Sequence, residues 1–410
     1  METRPLHLVV VLRADAAIRF PEGQGLAVKA FATASGPADF VFRTRYVAEG
    51  FDCDIPRELW VEVRGTAASL NSAIGSYWNA ANNLLPILVL CANAASESLS
   101  LDLAFDETPD QNEHEYFQRF FPAQTGLMFE GRELDIAAAL ALITATARHS
   151  DSARLHRAMV QYFHALGHWQ FGHDLLAVSH LFMAAETLTE VALRDILRTE
   201  SLDERQLGER WNLKQKKSNF GNLLRAEVRR RVIFQNDDKC HKAAKAASDG
   251  FEHGFENLHS LRQKATESRE MTAKYIREAI IHVLKLDSTV ETILRAEKFS
   301  RPLGLTKYDR YLKGRLIGPA AQLAALPNEY PLVKWEWKIE RAYRDDRGNY
   351  NFSPSQRITP MIGQGVTFQP LAVEVWGDPY QPRTNGRPPE ISAARGETAR
   401  ADDRREEPRS

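Results

Sequence analysis

From about residue 130 to residue 287 the chain is written almost entirely in helical period, and one stretch of it leaves little freedom of fold. Leu175, Leu176, Val178, Leu181, Phe182 and Met183 follow so closely that a helix through them is apolar nearly all round. Such a helix has to be buried on every side, so the chain must build a bundle about it. Asp174 stands before the run as a good N-cap, and Glu190 and Arg194 are spaced i, i+4 in the favourable order. Around this centre the spacing predicts helices near 132–148, 152–166, 174–198, 220–232, 239–247, 250–266 and 268–286. Asp249 and Glu252 have the spacing of a capping box and Gly250 eases the turn, so a new helix is expected to begin within Ser248–Phe255. Phe251, Phe255, Leu258 and Leu261 then form its apolar stripe, with His253 on the opposite side.

The flanks are written in a different period. Leu8–Leu12, Leu26–Ala32, Phe40–Tyr46 and Leu59–Val63 are strand-like, separated by Gly- and Pro-bearing turns. A helix is expected from about Thr66, kinked or broken at Pro86. Leu99–Phe105 returns to strand with Leu99, Leu101, Leu103 and Phe105 on one face. The polar loop Asp106–Gly126 is interrupted by the aromatic run Tyr116–Pro122, which plugs a neighbouring domain or, alternatively, binds a partner. Beyond residue 300, Val333–Glu340 alternates cleanly, Asp345–Asn349 makes a turn, and Val366–Phe368 and Leu371–Trp376 read as further strands. The fold expected is therefore α+β and multi-domain. It comprises an α/β-mixed N-terminal domain (1–128), a central all-α helical bundle (129–300), a small β-rich C-terminal segment (301–378) and a disordered tail (379–410).

Charge and cysteine content narrow the classes. A formal net charge of −1 over 410 residues argues against a dedicated polybasic binder. Cys53, Cys91 and Cys240 lie far apart, which is neither a disulfide framework nor a zinc ribbon. The run His7–Leu12 is too short for an export signal. Leu84–Ala92 is about half the ~20 residues of a membrane span. A cytoplasmic protein without membrane partners is expected. P-loop, dinucleotide-binding, zincin and nucleophile-elbow signatures are all lacking, so no cofactor is implied.

Three constellations could carry chemistry. His156, His164, His168, His173 and His180 cluster, with His164 and His168 on one helix face; a packed histidine corner is the expected role and no metal is assigned. Glu336 and Lys338, with Asp309 upstream, have the outline of a metal-dependent nuclease, though the same residues belong to an alternating charged face. Arg205–Arg231 is basic and interleaved with Trp211 and Phe220. Lys216, Lys217, Arg225, Arg229, Arg230 and Arg231 are its candidate nucleic-acid contacts, against the alternative of a solvated connector.

The order of the central block carries a resemblance. A helix with Tyr162, Phe163 and Trp169 precedes the apolar helix His180–Glu190. A basic connector follows, then the Glu252-His253-Gly254 step. This succession resembles a HEPN domain, closest to the Apea-like members. The resemblance implies a helical bundle that dimerises and acts in prokaryotic defence or stress, either as a metal-independent endoribonuclease or as a non-catalytic module. The family's catalytic motif is an Arg followed after four to six residues by a His. No Arg stands at that distance before His253, where the nearest basic residue is Lys245; Arg157–His164 and Arg277–His282 do satisfy the spacing. The expectation is a degenerate HEPN-like module that binds RNA or a protein partner. The alternatives are an endoribonuclease using His253, with Arg277 and His282 as further catalytic candidates, and a protein-interaction scaffold.

Overall fold

An uninterrupted apolar run belongs where both faces of a strand are covered, and β1 (Leu6–Ala14) takes that place. The computed structural model describes residues 5–376 apart from 48–51, 110–111, 120–130, 171, 214–218, 255, 306–308, 326–331, 347, 349 and 362–363; for parts of the last strands only the backbone is described. Before the first helix come β2 (Ile18–Arg19), β3 (Gly25–Thr33), β4 (Gly36–Val47) and β5 (Ile55–Ala67). Helix α1 (Leu70–Ala92) follows, then β6 (Ser100–Asp106) and β7 (Tyr116–Gln118). Six of these strands form one antiparallel sheet in the order β3-β4-β5-β1-β6-β7, and β2 pairs in parallel with β8 (Arg132–Glu133). Alternation sets the inward face: Phe40 and Phe42 of β4 and Leu59, Val61 and Val63 of β5 are fully buried. Arg43 and Arg64 point the other way, into solvent. Gly65 lets α1 approach, because a Cβ there would stand 2.6 Å from the Tyr77 hydroxyl.

Helix α1 begins at Leu70, capped by Ser69, because the strand before it runs on to Ala67. Pro86 does not end it. The proline forfeits one backbone bond, but every residue from Leu84 to Ala92 is buried, and that packing holds the helix together. In β6 the register sets Ala104 opposite Val10, so Ala104 and Asp106 are the buried positions and Leu101, Leu103 and Phe105 are half-buried. Strand β7 is the sheet's edge, with Tyr116 at 62% and Phe117 at 50% exposure. Neither plugs another part of the fold among the described residues, which do not include Phe120, Phe121 and Pro122.

The helical block contains α2 (Ile136–Arg148), α3 (Ser152–Gly167), α4 (Asp174–Glu200), α5 (Glu204–Arg210) and α6 (Phe220–Val228). A five-residue π-helix (Arg229–Ile233) precedes α7 (Asp238–His253), α8 (Leu258–Leu284) and α9 (Ser288–Leu294). Helix α4 is the buried centre, as its composition requires. It is long and apolar enough to cross a membrane, yet 67% of its most apolar window is buried inside the fold, as in a core helix. His173, not Asp174, is its N-cap, and the Asp174 carboxylate instead meets Arg269 at 2.6 Å and accepts from Thr266 at 3.0 Å. Glu190 pairs with Arg225 rather than Arg194, which reaches Asp151.

The largest departure is at Ser248–Phe255. Residues 238–253 are one helix, and Gly254, at φ +68°, closes it by donating its N–H to the Gly250 carbonyl. No capping box forms there, because Asp249 is held by Lys245 and Glu252 accepts from Ser248. Asn257 caps α8. Gly250 is mid-helix, where a Cβ would collide with Leu261 at 2.5 Å. Phe251 and Leu258 are exposed at 45% and 49%, so the expected stripe does not form; Phe255 lies outside the described residues.

Sheet and bundle share one hydrophobic core running from Leu8 to Leu294, so the expected break at 128/129 does not separate two cores. The chain divides into the units Met1–Lys307 with Trp337–Gln356, and Tyr308–Glu336 with Arg357–Ser410. In the second unit β9 (Asp309–Ile317) pairs with a later strand across a short α10 (Ala320–Ala325). The strands that follow are β10 (Leu332–Arg344), paired with β11 (Tyr350–Met361), and β12 (Thr367–Trp376), the partner of β9. The tail 379–410 and the side chains of Asp309, Glu336 and Lys338 lie outside what is described, so the nuclease outline gains no geometry.

Candidate functional site

Arg277 is a catalytic candidate by spacing alone, and its surroundings are those of a structural residue. It is 3% exposed and donates from Nε to the Leu90 carbonyl at 3.0 Å and from Nη2 to that of Cys91 at 3.2 Å. Arg132 completes the set, donating to the carbonyls of Ala92, Asn93 and Arg301. Apart from that of Arg301, these carbonyls belong to the end of α1, which has no basic residue in its own last turn; only that of Leu90 also accepts from the cap, through the Asn93 N–H. Burial draws the Arg277 guanidinium below its ordinary pKa and brings Arg132 down to about 10, with the neighbouring Arg277 charge adding to the latter. Asn93, in the left-handed region, joins the hub by donating to Phe299 and accepting from the Tyr162 hydroxyl at 2.6 Å.

His282 is exposed on α8. Five residues from Arg277 place it about 140° further round the helix, so the two side chains leave by different faces. His253 is exposed at the far end of the α7–α8 hairpin. Leu258, where α8 starts, is about 36 Å along that helix from His282. Within one chain these three residues do not form one site.

The basic run is brought together, and it is internally matched. Arg225 pairs with Glu190 and, at 3.6 Å, with Glu204. Arg229 lies 3.2 Å from Glu186 and over the Phe182 ring. Arg230 bridges Glu227 at 2.8 Å and Asp238 at 2.9 Å, and Arg231 bonds Glu227 at 2.6 Å over the Trp211 ring. Four guanidiniums thus face five carboxylates. Lys216 and Lys217 lie outside the described residues.

Beside this turn is a pocket of about 220 Å³ between α4, the π-helix and α8. Leu188, Ile233 and Val283 line its floor, while Gln235, Glu278, His282 and Arg295 stand at its rim. His282 thus meets the residues just after the basic run, Val232, Ile233 and Gln235, while none of the arginines of that run lines the pocket. No local pattern marks this pocket, because its lining comes from three separate stretches of the chain, 188–192, 232–235 and 278–295.

The histidines form a corner at the α3–α4 joint. The His168 and His180 rings stack at 5.5 Å, His164 lies 5.3 Å from His180, and His173 lies 5.7 Å from His168. His180 is bonded to Gln161 and His173 to Gln170, while His156 bonds the Asn83 carbonyl. Burial lowers the pKa of His164 and His168 and takes that of His180 down to about 4, the neighbouring imidazoles adding to the shift in His168 and His180. Among the described residues no group of three or more His, Cys, Asp or Glu is placed to hold a metal ion. No protein-family model matches the chain, and neither a curated protein nor a solved structure is significantly similar to it.

Proposed function

We propose that this chain is a non-catalytic, HEPN-like helical module, built onto a β-sheet, that acts by binding a partner. The reading is supported above all by the fate of Arg277, which is spent on the carbonyls at the end of α1 and faces away from His282. An RNA-cleaving site needs a general acid or base and a cation for the phosphate within one cleft. The matched charges around Arg225–Arg231 favour a protein over RNA as the partner, since phosphate contact through them requires breaking ion pairs. Dimerisation, a cytoplasmic location and a role in prokaryotic defence or stress complete the proposal, on the strength of the family resemblance.

Incubation of the full chain with total RNA in EDTA tests the first claim. No cleavage is expected; cleavage that is lost in His253→Ala or His282→Ala would overturn it. A gel shift at low salt tests the second. A strong shift that weakens steeply with salt would establish RNA as the partner instead. Light scattering during size exclusion reads the oligomeric state directly, and a monomer at all concentrations would remove dimerisation from the proposal.

A further inference from the structure

Three irregularities converge on the pocket beside the arginine turn. The first is the π-helix Arg229–Ile233, a rare form that recurs at functional sites. The second follows directly: Gln235 and Asn236 take φ of +50° and +64°, a left-handed pair with no glycine to ease it. Such strain persists only where the surroundings impose it, and it clusters at ligand sites. The third is the space itself, kept open by Ala192 and Ala279 on facing helices, both in its lining. Larger side chains at those two positions would close it.

We infer that this pocket binds an uncharged, ring-sized molecule with an apolar body and one hydrogen-bonding edge, of the phenol or indole class. The volume of about 220 Å³ exceeds the roughly 150 Å³ that holds a benzene ring. Charge follows from the rim: Arg295 bonds Glu278 at 2.8 Å and, behind it, Glu291 at 2.7 Å, so both rim charges are already engaged. Gln235 and His282 remain as edge partners, and both side-chain types donate and accept. A charged ligand would have to be desolvated against this closed ion pair, whereas a neutral ring would not. The inference stands apart from the partner-binding reading above, because it uses neither the arginine pairs nor the family resemblance.

The test is ligand-observed NMR on the full chain with phenol and indole, with benzoate and benzylammonium as charged counterparts. The neutral probes are expected to bind with a Kd of about 0.1–1 mM, and the charged ones at least about tenfold more weakly. Ala279→Phe, folded by circular dichroism, should abolish binding. Gln235→Gly relieves the left-handed strain and removes an edge partner, so it should raise Tm while weakening phenol binding about threefold or more. No saturable binding of either neutral probe, binding undiminished in Ala279→Phe, or charged probes binding equally well would each overturn the inference. Binding unchanged in Gln235→Gly would overturn the assigned edge.

Discussion

The molecule uses arginine in two ways that sequence does not distinguish. At the end of α1, Arg132 and Arg277 are set against backbone carbonyls in the interior. Along α6 and the π-helix, Arg225–Arg231 are set against carboxylates nearer the surface. The first pair answers the negative end of a helix dipole and joins sheet to bundle, with no alternative partner in reach of water. The second set forms exchangeable ion pairs, of which each contributes little. Partners, more than the number of charges, decide what an arginine does here.

Arg277→Ala should test this most severely. It leaves the buried Cys91 carbonyl without a donor, takes one of two from that of Leu90 and opens a cavity, so urea unfolding should show a loss of about 3–5 kcal/mol. Arg277→Lys should recover little of it, because a point charge does not span two carbonyls. A loss below about 1 kcal/mol would erase the distinction between the two regions.

The histidine corner lies between these extremes, and burial favours the neutral form of His164, His168 and His180. The pKa of His180, near 4 in the fold against about 6.5 in the unfolded chain, means that the unfolded state binds the extra proton first. Stability is therefore full above about pH 6.5 and falls as pH drops toward 4. Allowing for solvent screening, the loss is about 1–2 kcal/mol. Urea midpoints measured from pH 7.5 to 4 should show this decline, and His180→Gln should flatten it. A midpoint rising on acidification would contradict the packing described.

The smallest effect is expected at the surface run. Arg230→Ala should change stability by less than about 1 kcal/mol despite its two carboxylate partners. A cost near that of Arg277→Ala would show that the run is a single cooperative network.

What could be read in advance was what depends on local period. Strands β1, β3, β4 and β5, helices α2, α3 and α4 and the β10 strand all follow from alternation or apolar spacing within a few residues. The boundary at Ser248–Phe255 failed because two readings share one local pattern: Asp249 and Glu252 fit a helix start, yet Gly254 fits a helix end. The tertiary contact of Gly250 with Leu261 favours the second. Helix α5, with its Asp203–Gln206 capping box, is only seven residues long and lies in a stretch whose dominant pattern is charge. The roles of Arg277 and of the pocket depend on residues more than one hundred positions away, and no window along the chain contains them. The HEPN-like expectation rests on the same local patterns, so it stands or falls with the RNA and oligomer experiments.

The hub at Asn93 bears on how the protein is made. A chain emerging from the ribosome presents β1–β5 and α1 first, but the hub at the end of α1 draws its donors from Arg132, Tyr162 and Arg277 and its further acceptors from the carbonyls of Phe299 and Arg301. At 5–20 residues per second, roughly 10–40 s separate the synthesis of Asn93 from that of Arg301. Until residue 277 is made, the Cys91 carbonyl lacks its donor and the apolar face of the helix has no complete bundle. The N-terminal half is thus a natural client for chaperones during translation, and it becomes self-sufficient only when the second half arrives.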